Sequence, residues 1–74
     1  MKENDKIFTE LIDKLKKEYN ELNIKINNLD IWIQLHEDTI NKEYMQLMNE
    51  QLDIMTEYGE VLYQRIKCLI KIYK

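Results

Sequence analysis

The sequence predicts an all-α protein: an antiparallel two-helix hairpin, similar to a coiled coil, that assembles into a homo-oligomeric helical bundle. The 74 residues include one Gly and no Pro, a composition that leaves few places for a turn. Two long segments repeat apolar residues in alternating steps of three and four, which is the spacing of a helix with one buried stripe. A single short polar segment separates them.

The first helix is predicted over about residues 5–34. Its apolar stripe comprises Phe8, Ile12, Leu15, Tyr19, Leu22, Ile26, Leu29 and Ile33. Asn4 or Asp5 can cap its free backbone N–H groups.

The second helix is predicted over about residues 42–73, after a loop over about residues 35–41. Asn41 can cap its start, and Ile40 with Met45 can form a hydrophobic staple. Its stripe comprises Met45, Met48, Leu52, Met55, Gly59, Leu62, Ile66, Leu69 and Tyr73. Residues 1–74 therefore form one hairpin domain.

A short loop makes the two helices antiparallel and brings their stripes together. This pairing puts Phe8 opposite Leu69 and Tyr19 opposite Gly59. A glycine inside a helix costs about 1 kcal/mol relative to alanine. Packing of the large Tyr19 side chain against the small Gly59 would explain why a glycine is present at this position.

The second helix carries another run of residues, about a quarter-turn from its first stripe. The run comprises Leu47, Gln51, Ile54, Tyr58, Val61, Arg65, Cys68 and Ile72. A helix that is apolar on two faces is buried on two faces, and a two-helix hairpin has too small a core to bury both. We therefore expect a homo-oligomer, with a heteromeric partner as the competing interpretation. The expected interface residues are Leu47, Ile54, Val61, Cys68, Ile72, Ile24, Ile31 and Trp32.

The polar members of this run are candidate ligand-binding residues. Gln51, Tyr58 and Arg65 are seven residues apart and share one face, with Tyr44 one step further out. Arg65 can bind a phosphate or carboxylate through two hydrogen bonds. Tyr58 can stack on a base or donate a hydrogen bond, and Gln51 can bond to the edge of a base. The alternative is that all of them are polar contacts within a subunit interface, where Tyr and Arg are enriched.

Several classes of function are disfavoured by composition. One His, one Cys and no Ser cannot supply a nucleophile, a base and an orienting group, so we expect no enzyme activity. His36 and the distant Cys68 do not make a metal site, and no cofactor is expected. The net charge of −3 argues against direct DNA binding. The absence of a long apolar run or signal peptide, with a single cysteine, predicts a cytoplasmic protein without membrane association.

The second helix also resembles small uncharacterised bacteriophage helical-hairpin accessory proteins. The resemblance covers most of the chain and rests on the run Gln51-Leu52-x-x-Met55-x-x-Tyr58-x-x-x-Leu62-x-x-Arg65-Ile66, which follows a Lys/Glu-rich first helix. The frequent Lys, Asn and Ile, whose codons are AT-rich, favour a bacterial or bacteriophage source, and the host cytoplasm if the protein is phage-encoded.

Proteins of this type often antagonise host defence, as anti-CRISPR proteins or as oligomeric sponges for cyclic-nucleotide alarm signals. The resemblance therefore implies a non-enzymatic antagonist that acts by stoichiometric binding of a cyclic nucleotide or a host defence protein. Sequestration of a nucleotide second messenger is the leading hypothesis. The alternatives are direct inhibition of a defence nuclease or effector, and a structural coiled-coil adaptor.

Overall fold

The computed structural model describes residues 2–73, which form two long antiparallel helices joined by a short turn. Helix α1 spans Lys2–His36 and helix α2 spans Lys42–Tyr73. The molecule is 57 Å long and measures 14 and 13 Å in the other two directions. The predicted all-α hairpin is confirmed.

Helix α1 is longer than predicted at both ends. It already includes Asn4 and Asp5, so neither residue is the cap that we expected. The chain continues as helix there because the surrounding Lys and Glu residues are good helix formers. At the other end, His36 belongs to the helix and not to the loop. Its Nδ1 lies 2.9 Å from the carbonyl oxygen of Trp32, which extends the last turn.

The turn is closed by the last carbonyl group of α1. The backbone N–H groups of Thr39 and Ile40 donate to the His36 oxygen at 3.0 and 3.1 Å, and the Thr39 hydroxyl donates to it at 3.1 Å. These bonds satisfy an acceptor that the end of the helix would otherwise leave free. They also turn the chain back within five residues.

Helix α2 begins at the predicted cap. The side-chain oxygen of Asn41 accepts hydrogen bonds from the backbone N–H groups of Glu43 at 2.8 Å and Tyr44 at 3.4 Å. These are the second and third positions of the helix, where a capping side chain normally binds. The capping role of Asn41 is therefore confirmed.

The two predicted stripes form the contact between the helices. Every member of both stripes is buried or half-buried except Tyr73, at the end of α2. Leu15, Leu62 and Ile66 form the centre of the core, with Leu62 fully buried.

The aromatic contacts between the helices differ from the predicted pairing by about one helical turn. The ring of Phe8 contacts Tyr73, with centroids 6.1 Å apart, and Tyr19 contacts Tyr63 at 5.8 Å. A Cβ atom at Gly59 would meet Leu22 and Ile26 of α1, so the prediction that Tyr19 packs on Gly59 is wrong. A helical side chain leans over the turn N-terminal to its own Cα. In an antiparallel pair, a residue of α1 therefore meets a later residue of α2 than the one at its own level.

Candidate functional site

The second run of α2 forms a continuous exposed stripe, which we call the outer stripe. It comprises Leu47, Gln51, Ile54, Tyr58, Val61, Arg65, Cys68 and Ile72, and all eight residues are exposed. Ile54 and Val61 expose 65% and 54% of their surface. The stripe extends for about 37 Å, since its 25 helical steps rise about 1.5 Å each. One chain thus leaves an apolar helix face with a few polar residues uncovered.

The side chain of Tyr58 is hydrogen-bonded to the neighbouring helix, α1. Its hydroxyl donates a hydrogen bond to the Glu18 carboxylate of α1. This bond is the first cause of a raised pKa for Tyr58, because ionised phenol could no longer donate to the carboxylate. Desolvation and the negative charge of Glu18 raise the pKa further, and the positive charge of Arg65 lowers it. Since the hydroxyl is already bonded, the ring face is the part of Tyr58 that remains for a ligand.

Arg65 lies in an open depression on the outer side of α2. The depression has a volume of about 330 Å³ and is lined by Glu60, Val61, Gln64, Arg65 and Cys68. Its size is at the lower end of the range for small-molecule sites, which are usually apolar with a few polar groups. Arg65 supplies the positive charge in this lining.

The other two predicted ligand residues lie further towards the hairpin tip. The amide of Gln51 points along the helix to the sulfur of Met55, 3.8 Å away, and Tyr44 is exposed in the first turn. Tyr44 and Arg65 are 21 residues apart, which is about 31 Å along a helix. The structure therefore places the four predicted residues on one side of α2 but does not bring them together in one chain.

The predicted interface residues of α1 fall on two different surfaces. Trp32 is half-buried and stacks on His36, with ring centroids 4.1 Å apart. Ile24 and Ile31 are exposed, and their spacing from the buried stripe puts them on the side of α1 opposite α2. One flat partner surface cannot cover both the outer stripe and this pair.

Glu18, which accepts the hydrogen bond from the candidate site residue Tyr58, was not predicted from the sequence. It lies seven residues before Lys25 and outside the apolar stripe of α1, and a charged residue on a long helix is usually solvated. The signal was present in the pairing of the helices. An antiparallel hairpin puts Glu18 beside Tyr58 at nearly the same level, so a search for polar partners across the helices would have found it.

Charge is strongly segregated along the hairpin. Residues 18–60, which include the tip, contain ten acidic and two basic residues, a net charge of −8. Residues 1–17 and 61–74 together contain nine basic and four acidic residues, a net charge of +5. The residues from 61 onward contain no acidic residue at all. The end of the hairpin that carries Arg65 is therefore the end that attracts anions.

Residues 2–73 were compared with the requirements of a metal site and of a membrane-spanning helix. No group of three or more His, Cys, Asp or Glu side chains in this part of the chain is placed to hold a metal ion. No helix there has an apolar stretch long enough to cross a bilayer. The thiol of Cys68 is free and exposed.

The fold and the outer stripe define a small helical-hairpin protein with an exposed apolar helix face. A family model described as Sequestin matches residues 9–68. The chain therefore belongs to the Sequestin family, and the match includes Glu18, Gln51, Tyr58 and Arg65. The family name denotes a sequestering protein, which agrees with a binding role and not with catalysis. Neither the curated proteins nor the solved structures gave a significant match.

Proposed function

We propose that the protein antagonises host antiviral defence by stoichiometric binding, and that it sequesters a nucleotide second messenger such as a cyclic nucleotide. The observation that carries the proposal is the pair Tyr58 and Arg65 on the outer stripe, where both are exposed. An aromatic ring face stacks on a base, and a guanidinium binds a phosphate through two hydrogen bonds. Gln51 and Tyr44 extend the same face towards the tip. The protein acts in the host cytoplasm as a homo-oligomer.

Membership of the Sequestin family supports the sequestering part of this proposal. A sequestering protein needs affinity and abundance, and it needs no catalytic group. The side chains on the outer stripe can provide such affinity, since they offer stacking, hydrogen bonding and charge.

The charge distribution supports an anionic ligand. Four basic and no acidic residues lie between positions 61 and 74, and Arg65 is among them. A ligand with phosphate groups is attracted to this end and repelled by the acidic tip. Carboxylates remain close, however, since Glu60 lines the depression and Glu18 binds Tyr58.

Titration calorimetry with a set of cyclic di- and trinucleotides, and with ATP as a linear control, tests the proposal. We expect at least one cyclic nucleotide to bind the wild-type protein. Arg65→Gln should weaken that binding by about tenfold or more, since hydrogen bonds to a charged group contribute about 1.5–3 kcal/mol.

The matched control is Lys67→Gln. It removes one positive charge two residues away, where the ammonium group lies 5.3 Å from the Tyr63 ring and outside the outer stripe. Equal binding by Arg65→Gln and the wild type would show that the site is wrong. A protein that binds no nucleotide yet still protects phage would favour a direct inhibitor of a defence protein, for which Trp32, Glu37 and Asp38 near the tip are the residues to vary.

A further inference from the structure

We infer that a second copy of this chain packs antiparallel on the outer stripe, and that each ligand site is shared, with Tyr58 from one copy and Arg65 from the other. The shared site rests on the proposed function, whereas the packing of the two copies does not.

The size of the face fits a second copy. One side of the hairpin measures 57 by 14 Å, or roughly 800 Å², so it offers at most the area per partner of a standard protein interface. The exposed apolar residues of the outer stripe extend for about 37 Å along α2. Two identical hairpins laid side by side can therefore cover the stripe over its whole length.

Charge determines the relative direction of the two copies. In α2 every acidic residue lies between Glu43 and Glu60, and every basic residue after Lys42 lies between Arg65 and Lys71. Parallel packing would place like charges beside each other along the helix. Antiparallel packing places the basic end of each copy against the acidic part of the other, as electrostatic complementarity requires.

The spacing of the stripe then selects one register. Its steps of four and three read the same from either end, so an antiparallel copy matches all eight positions when Tyr58 lies opposite Val61 of the partner copy. In this register Gln51 lies opposite the partner's Cys68, and Ile54 opposite the partner's Arg65. Glu50, beside the stripe, is then two residues, or about 3 Å along the axis, from the level of the partner's Lys71, which is within reach of an ion pair on each side of the two-fold axis.

The same register brings two complementary groups together. Tyr58 and Ile54 are four residues apart, so the partner's Arg65 lies about 6 Å along the axis from Tyr58. The Arg65 of the same chain is seven residues away, or about 10 Å. A ligand that stacks on Tyr58 can thus reach the guanidinium of the partner more easily. The dimer contains two such sites, related by symmetry.

Cross-linking with a short bis-maleimide tests the packing without any ligand. The wild type has one thiol, Cys68, and in the proposed dimer the two copies of it are 17 residues apart, about 25 Å along the axis. Gln51→Cys adds a thiol directly opposite the partner's Cys68. The matched control, Gln46→Cys, adds an exposed thiol outside the outer stripe.

We expect covalent dimers from Gln51→Cys, and monomers on a denaturing gel from the wild type and from Gln46→Cys. Cross-linked wild type would indicate parallel packing and overturn the inference. The inference would also be overturned if Gln51→Cys formed no cross-linked dimer, or no more cross-linked dimer than Gln46→Cys.

Mixing two binding-deficient variants tests the shared site. Tyr58→Leu and Arg65→Gln, refolded together in equal amounts, give mixed dimers in which one site has both Tyr58 and Arg65. Random pairing then restores about a quarter of the wild-type capacity for the cyclic nucleotide that binds best. If the site lay within one chain, the mixture would recover no binding capacity, and that result would overturn the shared site. A wild type that binds no nucleotide overturns the proposed function and the shared site together, while the cross-linking result still decides the packing.

Discussion

At the residue scale, the bond between Tyr58 and Glu18 links the outer stripe to the other helix. It ties a side chain of α2 to α1 and leaves 44% of Tyr58 exposed. A carboxylate accepting the phenol proton fixes the hydroxyl and leaves the ring free to stack. Tyr58 is therefore oriented before any ligand arrives.

We predict that Glu18→Gln lowers the pKa of Tyr58 towards its ordinary value of 10.0. The wild-type pKa is raised, so the bond stabilises the fold below the unfolded-state pKa and its contribution is lost as the pH rises through the folded-state pKa. Ultraviolet absorbance of tyrosinate, compared with Tyr58→Phe to isolate this residue, measures the change. An unchanged titration in Glu18→Gln would show that the bond is absent in solution.

The packing around Gly59 leaves room for a methyl group. A Cβ atom there would meet Leu22 Cδ2 at 3.5 Å and Ile26 Cδ1 at 3.9 Å, which are ordinary contact distances. We predict that Gly59→Ala raises the free energy of unfolding by up to about 1 kcal/mol, because alanine favours the helix. Urea denaturation measures this difference. Leu62→Ala, at the fully buried position, should cost about 2–5 kcal/mol, and a similar loss in Gly59→Ala would contradict the observed packing.

At the scale of the elements, both helices were predictable because their buried stripes are long and regular. The structure buries or half-buries these residues from Phe8 to Leu69. The start of α2 was equally clear from Asn41. The pairing of side chains between the helices was not, because the lean of side chains shifts contacts by a turn, as Tyr19 against Tyr63 shows. The end of α1 was missed because His36 extends the helix through its own side chain.

The candidate site was predictable only in part. Periodicity is sufficient to place Gln51, Tyr58 and Arg65 on one side of α2. It contains no information about side-chain partners across the helices, so Glu18 was not found. The separation of about 31 Å between Tyr44 and Arg65 follows from their 21-residue spacing on one helix, so the sequence already implied that the four residues do not meet in one chain.

The cap of α2 provides a test at this scale. We predict that Asn41→Ala lowers the free energy of unfolding by about 0.5–2 kcal/mol, since two backbone N–H groups lose their acceptor. Asn41→Asp keeps an acceptor oxygen and should remain close to the wild type. Thermal denaturation followed by circular dichroism compares the three proteins, and equal stability of Asn41→Ala would show that the cap contributes nothing.

At the scale of the whole molecule, the hairpin is long, thin and electrically asymmetric. Its tip half is acidic and its open end is basic, and its outer stripe is apolar. These features favour pairing with an opposed copy and attraction of an anion to the basic end. Both effects depend on the same residues of α2.

The charge asymmetry predicts that two opposite charge changes compensate each other in the proposed dimer. Glu50→Lys places two positive charges together on each side of the dimer and should weaken its association. The double variant Glu50→Lys with Lys71→Glu exchanges the charges and should recover it. Sedimentation equilibrium at low salt measures both. Equal association of all three proteins would argue against the antiparallel register.

Sequestration itself is tested most directly by native mass spectrometry of the protein purified from cells whose antiviral defence is active. The account predicts a homo-oligomer carrying an added mass of nucleotide size, which is lost on denaturation and is absent from Arg65→Gln. An oligomer with no added mass, isolated from cells that the protein nonetheless protects from defence, would contradict nucleotide sequestration.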